Sequence, residues 1–170
     1  MNANNSKTVY SSGSVSLVET ETLRGKRVLL DMGNDAVLVV PRTKMDTYIL
    51  TTQRRLGKDE EIYEFPSGGI KPDESPETAA ARELLEETGA TGKLTFVAKV
   101  EPLSGLVRFN VYVFVADLDS MSESAKALEA HEKVSTVEFT KEELLKKVRS
   151  LEVVDGYIVL GLGVLALGNV

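Results

Sequence analysis

The sequence predicts an α/β (α+β) sandwich around a mixed sheet, preceded by a small antiparallel β arm. Three observations point there. Alternating, β-branched runs occur before, between and after the helices. The helices are few but sharply signalled, and the 170 residues show no repeat and no interdomain linker. That length is enough for one ordinary core.

Residues 1–7 are polar and expected to be disordered. Residues 8–30 alternate and carry turn signals at Ser12-Gly13 and Arg24-Gly25. They predict two or three short antiparallel strands, which form an arm over 8–34 in front of a body at 35–170. Strands follow over 36–41 and 46–52, joined by a charged turn. A short strand over 63–66 ends in the loop Ser67-Gly68-Gly69, and further strands are expected over 93–101, 109–117 and 134–139. Ser75-Pro76 is an N-cap followed by proline at the first helical position, and Gly89 is a natural stop, so a helix is predicted over 76–88. Thr140-Lys141-Glu142-Glu143 is a capping box that opens a helix to about residue 150. A last helix spans 155–167, loosened by Gly161 and Gly163. Residues 120–133 have helical composition without a clean boundary.

The composition narrows the chemistry. There are 26 acidic residues against 20 lysines and arginines, a formal charge of −6, one histidine, no cysteine and no tryptophan. Thiolate zinc sites, disulfides and cysteine nucleophiles are excluded, and any histidine-based triad would have to run through His131. Metal chemistry must use oxygen ligands, which suit Mg²⁺, Mn²⁺ or Ca²⁺. The acidic balance argues against a nucleic-acid binder. No secretory signal opens the chain, and the apolar stretch 157–167 is too short for a bilayer span of roughly 20 residues. A soluble, cytoplasmic protein is expected.

The informative segment runs from Gly68 to Ala90. On a helical wheel, Glu83, Glu86 and Glu87 fall within an arc of about 100°, with Ala80, Ala81, Leu84, Leu85 and Thr88 read as the opposite, packing side. A solvated acidic face is the ordinary fate of such glutamates. Yet like charges at this spacing repel, and here they also lie near the negative end of the helix dipole. A divalent cation relieves both penalties. Arg82 stands beside the cluster and eight residues from Glu74, which suggests an ion pair between loop and helix. Gly68-Gly69 lets the loop backbone approach the helix, so that a carbonyl such as that of Ser67 could join a metal shell; a plain turn explains the glycines equally well.

Gly68, Glu74, Arg82, Glu83, Leu84, Glu86, Glu87 and Gly89 match the Nudix box, G-x5-E-x7-R-E-U-x-E-E-x-G-U, at every spacing. Chance agreement at that many fixed positions is of order one in 10⁸ per frame. Only Ala90 departs, where the family has a bulkier aliphatic residue. The chain therefore resembles the Nudix hydrolases. The resemblance implies the Nudix α/β/α sandwich and Mg²⁺-assisted hydrolysis (Mn²⁺ as an alternative) of a nucleoside diphosphate linked to another group. It implies Glu83 and Glu87 as metal ligands, Glu86 as ligand or catalytic partner, and Gly68, Glu74, Arg82 and Gly89 as structural members of the box.

Beyond the box the chain is similar to the ADP-ribose pyrophosphatase branch. Gln53-Arg54-Arg55 resembles its Q-aromatic-R, Glu64-Phe65-Pro66-Ser67-Gly68 its E-x-P-A-G, and Val154-Asp155 the opening of its last helix. The resemblance implies a homodimer through the N-terminal arm and a substrate site that includes Arg55, Arg54, Glu64 and Gly69. It places a general base at Glu132 or Glu129; these could equally be solvated surface acids. ADP-ribose is the expected substrate, giving AMP and ribose 5-phosphate. GDP-mannose, ADP-glucose, a MutT-like nucleoside triphosphatase and a non-catalytic nucleotide-sugar-binding module are the alternatives. One departure bears on this: the branch has S-P-G followed by an acid, whereas this chain reads Leu103-Ser104-Gly105-Leu106-Val107-Arg108-Phe109. Phe109 stands near the acid's place, as a core residue or as a surface for a base.

Overall fold

The computed structural model describes residues 6–54, 61–121, 135–150 and 155–166. The arm is a meander of β1 (Ser6–Ser12), β2 (Val15–Thr22) and β3 (Gly25–Asp31). The body follows as β4 (Ala36–Arg42), β5 (Thr47–Arg54), β6 (Glu61–Glu64), β7 (Ser67–Gly69) and α1 (Pro76–Thr88). It continues with β8 (Ala90–Val100), β9 (Val107–Arg108), β10 (Val111–Met121), β11 (Ser135–Thr140), α2 (Lys141–Arg149) and α3 (Gly156–Ala166). The main sheet runs β11-β5-β4-β10-β8, with β6 on β5 and β7 on β4. It is mixed: β4 and β10 pair in parallel from Ala36↔Val111 to Arg42↔Asp117, whereas β8 and β11 pair antiparallel to their neighbours.

Strand alternation decides which helix covers which face. Val37, Val39 and Ile49 pack with Ala79, Ala80 and Leu84 of α1. Leu38, Val40, Tyr48 and Leu50 point the other way, onto Leu144 of α2 and Ile158, Leu162 and Val164 of α3. The result is the expected α/β/α sandwich.

Several local expectations are corrected. Ser6 and Lys7, assigned to the frayed terminus for their polarity, pair with Thr20 and Glu19 on β2. Residues 67–69, read as a loop because of two glycines, form β7 against β4. The loop after β8 contains β9, which lies parallel to β3, with the Leu30 amide donating to the Leu106 carbonyl at 2.9 Å and Arg108 bridging to Asp31 at 3.0 Å. The arm is thereby tied to the body. Gly161 has a packing role in α3. A Cβ there would meet the Phe65 ring at 2.6 Å and Val40 at 3.1 Å, so the missing side chain lets the helix sit directly on the core.

Phe109 is half-buried against the larger core cluster, which favours the first of its two readings. Among the described residues, no helix is long and apolar enough to cross a membrane.

Candidate active site

The helix that carries the glutamates is fixed at both ends by its own sequence. Ser75 accepts from the Thr78 amide at 3.1 Å, and Pro76 opens the first turn. Gly89, at φ 69°, closes α1 in the left-handed conformation and donates its amide to the Leu85 carbonyl at 2.8 Å. Ahead of the helix, the Glu74 amide donates to the Lys71 carbonyl at 3.1 Å while Glu74 Oε2 accepts from the Lys71 amide at 2.9 Å. This turn holds Glu74 facing the helix.

Arg82 joins the pieces, and all five of its N–H groups are used. Nε and Nη2 grip both oxygens of Glu74, at 2.8 and 2.9 Å. Nη2 also donates to the Gly69 carbonyl at 3.0 Å. Nη1 donates to Glu83 Oε1 at 2.6 Å and to Glu86 Oε2 at 3.1 Å. The fork geometry of guanidinium makes this possible; an ammonium would reach only part of the set. These contacts raise the Arg82 pKa, the Glu74 hydrogen bonds most, and the same bonds hold the Glu74 carboxyl down at about 2.

Glu83 lies deeper than the wheel placed it. At 100° per residue the buried positions of α1 run from Ala79 to Thr88 and include Glu83, which is 9% exposed, whereas Ala81, expected to pack, is exposed. The reason is Gly68. Its α-carbon faces the Glu83 carboxylate so closely that a Cβ would overlap Oε1, Cδ and Oε2. A carboxylate therefore fills the space where β7 has no side chain. Burial raises the Glu83 pKa, with Arg82 opposing. Oε1 is held by Arg82; no bond to Oε2 is seen among the described residues.

This donor set fits a hard divalent cation: carboxylate oxygens, one of them desolvated in a cradle only glycine permits. Among the described residues, however, no three carboxylates are grouped as a ready-made metal cluster. Arg82 holds Glu83 and Glu86, and Glu87 is half-buried one turn beyond Glu83. Ser67, in β7, is half-buried opposite Leu38.

Glu64, expected in the substrate site, ends β6 at 5% exposure. Its Oε2 accepts from Gln53 Nε2 at 2.6 Å, and its carbonyl accepts from Thr51 Oγ1 at 3.2 Å. Alternation from Ile49 puts Thr51 and Gln53 on the α1 face of the sheet, so a buried polar track continues the site along β5. The sequence reading missed this pairing. Its signal was the switch from apolar to polar at 49, 51 and 53 on one face. Arg54 closes β5, but its side chain, together with Arg55, Glu129, His131 and Glu132, lies outside the described residues.

A family model described as the NUDIX domain matches residues 32–157. The chain belongs to the Nudix family. An ADP-ribose pyrophosphatase of Bacillus subtilis (strain 168) is 38% identical over 121 residues, 71% of this chain and 65% of that protein, so the match spans just under two thirds of the relative's length. A GDP-mannose pyrophosphatase of Salmonella typhimurium is 28% identical over 147 residues, 82% of this chain and 77% of the relative. A crystal structure described as that of an ADP compounds hydrolase superposes with a TM-score of 0.76 at 25% identity, covering 98% of this chain and 95% of that one. In this Nudix chain, therefore, the box forms the loop and helix just described, and the arm before residue 32 lies outside the family match.

The Glu74–Arg82 pair gives a pH prediction. A carboxyl with a folded pKa near 2 and an ordinary value of 4.5 binds fewer protons folded than unfolded between those values. Its contribution is complete above about pH 4.5 and is lost as pH falls toward 2. In chelator, Glu74→Gln should lower the melting temperature by several degrees at pH 7, and the gap from wild type should narrow steadily over that acid range. A gap independent of pH would contradict the pairing.

Proposed function

We propose that this chain is a divalent-cation-dependent pyrophosphatase of nucleoside diphosphate sugars, with ADP-ribose as the preferred substrate and AMP and ribose 5-phosphate as products. The observation that carries the reading is the buried Glu83 carboxylate, cradled by Gly68 on a helix that also presents Glu86 and Glu87. The preference for ADP-ribose is supported by the Bacillus subtilis relative. Glu83 and Glu87 would hold Mg²⁺ or Mn²⁺, with Glu86 as a further ligand or partner and the Ser67 carbonyl as a backbone ligand. Bound there, the cation would neutralise the pyrophosphate and sharpen the acidity of an attacking water.

The chain's own groups supply the rest. Glu74 and Arg82 hold the loop and helix in fixed register, so the carboxylates need not reorganise during the reaction. Arg55, with Arg54, would grip a phosphate oxygen. Glu64, steadied by Gln53, would bind a hydroxyl of the sugar, and the backbone at Gly69 would border the same cleft. Glu132 or Glu129 would take the proton from the attacking water oxygen.

GDP-mannose is the second reading. It is favoured by the Salmonella relative and by the loop 103–109, which lacks the branch's S-P-G and runs instead through β9 to the arm. We also infer a homodimer through that arm. β1 is exposed along its whole length, with Val9 50% and Tyr10 62% accessible, so apolar side chains are left uncovered in a single chain. Light scattering should give twice the 18.5 kDa chain mass; a monomer at working concentration would refute the dimer.

The activity test is a panel of ADP-ribose, GDP-mannose, ADP-glucose and deoxynucleoside triphosphates with Mg²⁺ or Mn²⁺ in ¹⁸O-water. ADP-ribose should be cleaved fastest, and Glu83→Gln or Glu87→Gln should lower turnover roughly 10²–10³-fold. Wild-type turnover that persists in excess chelator would sink the metal reading. Tight ADP-ribose binding without any product would replace the enzyme by a binding module.

A further inference from the structure

We propose that Arg82 is a resident counter-ion that competes with the divalent cation for Glu83 and Glu86, and so sets how tightly this site binds metal. The proposal rests on the metal reading above but concerns the metal-free box.

The guanidinium makes two sets of contacts. Nε and Nη2 are committed to the loop side, to both oxygens of Glu74 and to the Gly69 carbonyl. Nη1 alone faces the other way, and its two N–H groups reach Glu83 Oε1 at 2.6 Å and Glu86 Oε2 at 3.1 Å. A single positive group thus occupies two of the carboxylates that would hold the cation. The three carboxylates it touches outnumber it by two charges, the deficit a divalent ion would fill. A cation drawing on Glu83 and Glu86 must weaken one or both Nη1 bonds. Arg82 cannot withdraw freely, because the loop-side contacts hold the other half of its fork. Removing such charge-assisted bonds from the competition is worth at least about tenfold in a binding constant.

A purely structural role for Arg82 makes the opposite forecast. If it only orders the loop, any loosening of the network should weaken metal binding. Under competition the two partners of the ion pair diverge. Arg82→Gln should bind metal more tightly despite lower stability. Glu74→Gln should bind metal more weakly, because the guanidinium then leans wholly on Glu83 and Glu86.

The experiment is titration of the full chain with Mn²⁺, without substrate, following free Mn²⁺ by electron paramagnetic resonance. Wild type, Arg82→Gln, Arg82→Lys and Glu74→Gln are compared, with melting in chelator recorded for each. Arg82→Gln should show a dissociation constant at least about tenfold below wild type. Glu74→Gln should show one severalfold above it. Arg82→Lys, which keeps a cation but not the fork, should also bind tighter than wild type, and it decides the matter if the glutamine variant does not fold. Arginine variants that bind Mn²⁺ no tighter than wild type overturn the competition while leaving the metal site standing. A wild-type chain that binds no Mn²⁺ overturns both.

Discussion

The Glu83 carboxylate against the Gly68 backbone is the contact on which the rest of the site depends. A carboxylate at 9% exposure is costly to hold unless something compensates it. Here the compensation comes from the Arg82 guanidinium, which is itself anchored by Glu74 from the preceding turn. Loop, β7 and helix are thus joined through one side chain.

The sandwich serves this arrangement. Parallel pairing of β4 with β10 makes a sheet covered on both faces, and β7 lies on β4 beneath α1. The α1 face carries the box, the Thr51–Gln53–Glu64 track and an apolar floor. The opposite face carries α2, α3 and the larger apolar cluster, and takes no part in the polar site. Structural burial and chemistry are separated by the sheet, which lets one face keep buried polar groups without breaking the main core.

Much of this was legible in residue order. Local rules written in adjacent residues were read directly: the Ser75-Pro76 cap, the Gly89 stop and the Thr140–Glu143 capping box each mark a helix end within one residue of its place. The fold class followed from alternation, and the box from spacing. What was missed depends on contacts between distant segments. A wheel treats a helix as packing on an average apolar surface, so it could not foresee that a glycine strand would admit Glu83 and leave Ala81 outside. Two glycines read as a loop because the partner that makes them a strand, β4, lies thirty residues earlier. β9, only two residues long, had no pattern of its own and exists through β3. The Gln53–Glu64 bond likewise needed the β5–β6 register to appear.

Melting of wild type and Glu83→Gln at pH 7, in chelator and again with Mg²⁺, addresses the central claim most directly: that Glu83 is buried for a cation rather than for stability. Burial has already raised its pKa, so a neutral amide in the same place should be tolerated at least as well as the carboxylate. The account predicts that in chelator the variant melts no lower than wild type, and that Mg²⁺ raises the melting temperature of wild type but not of the variant. A variant clearly less stable than wild type in chelator, or one stabilised by Mg²⁺ as much as wild type is, would contradict it.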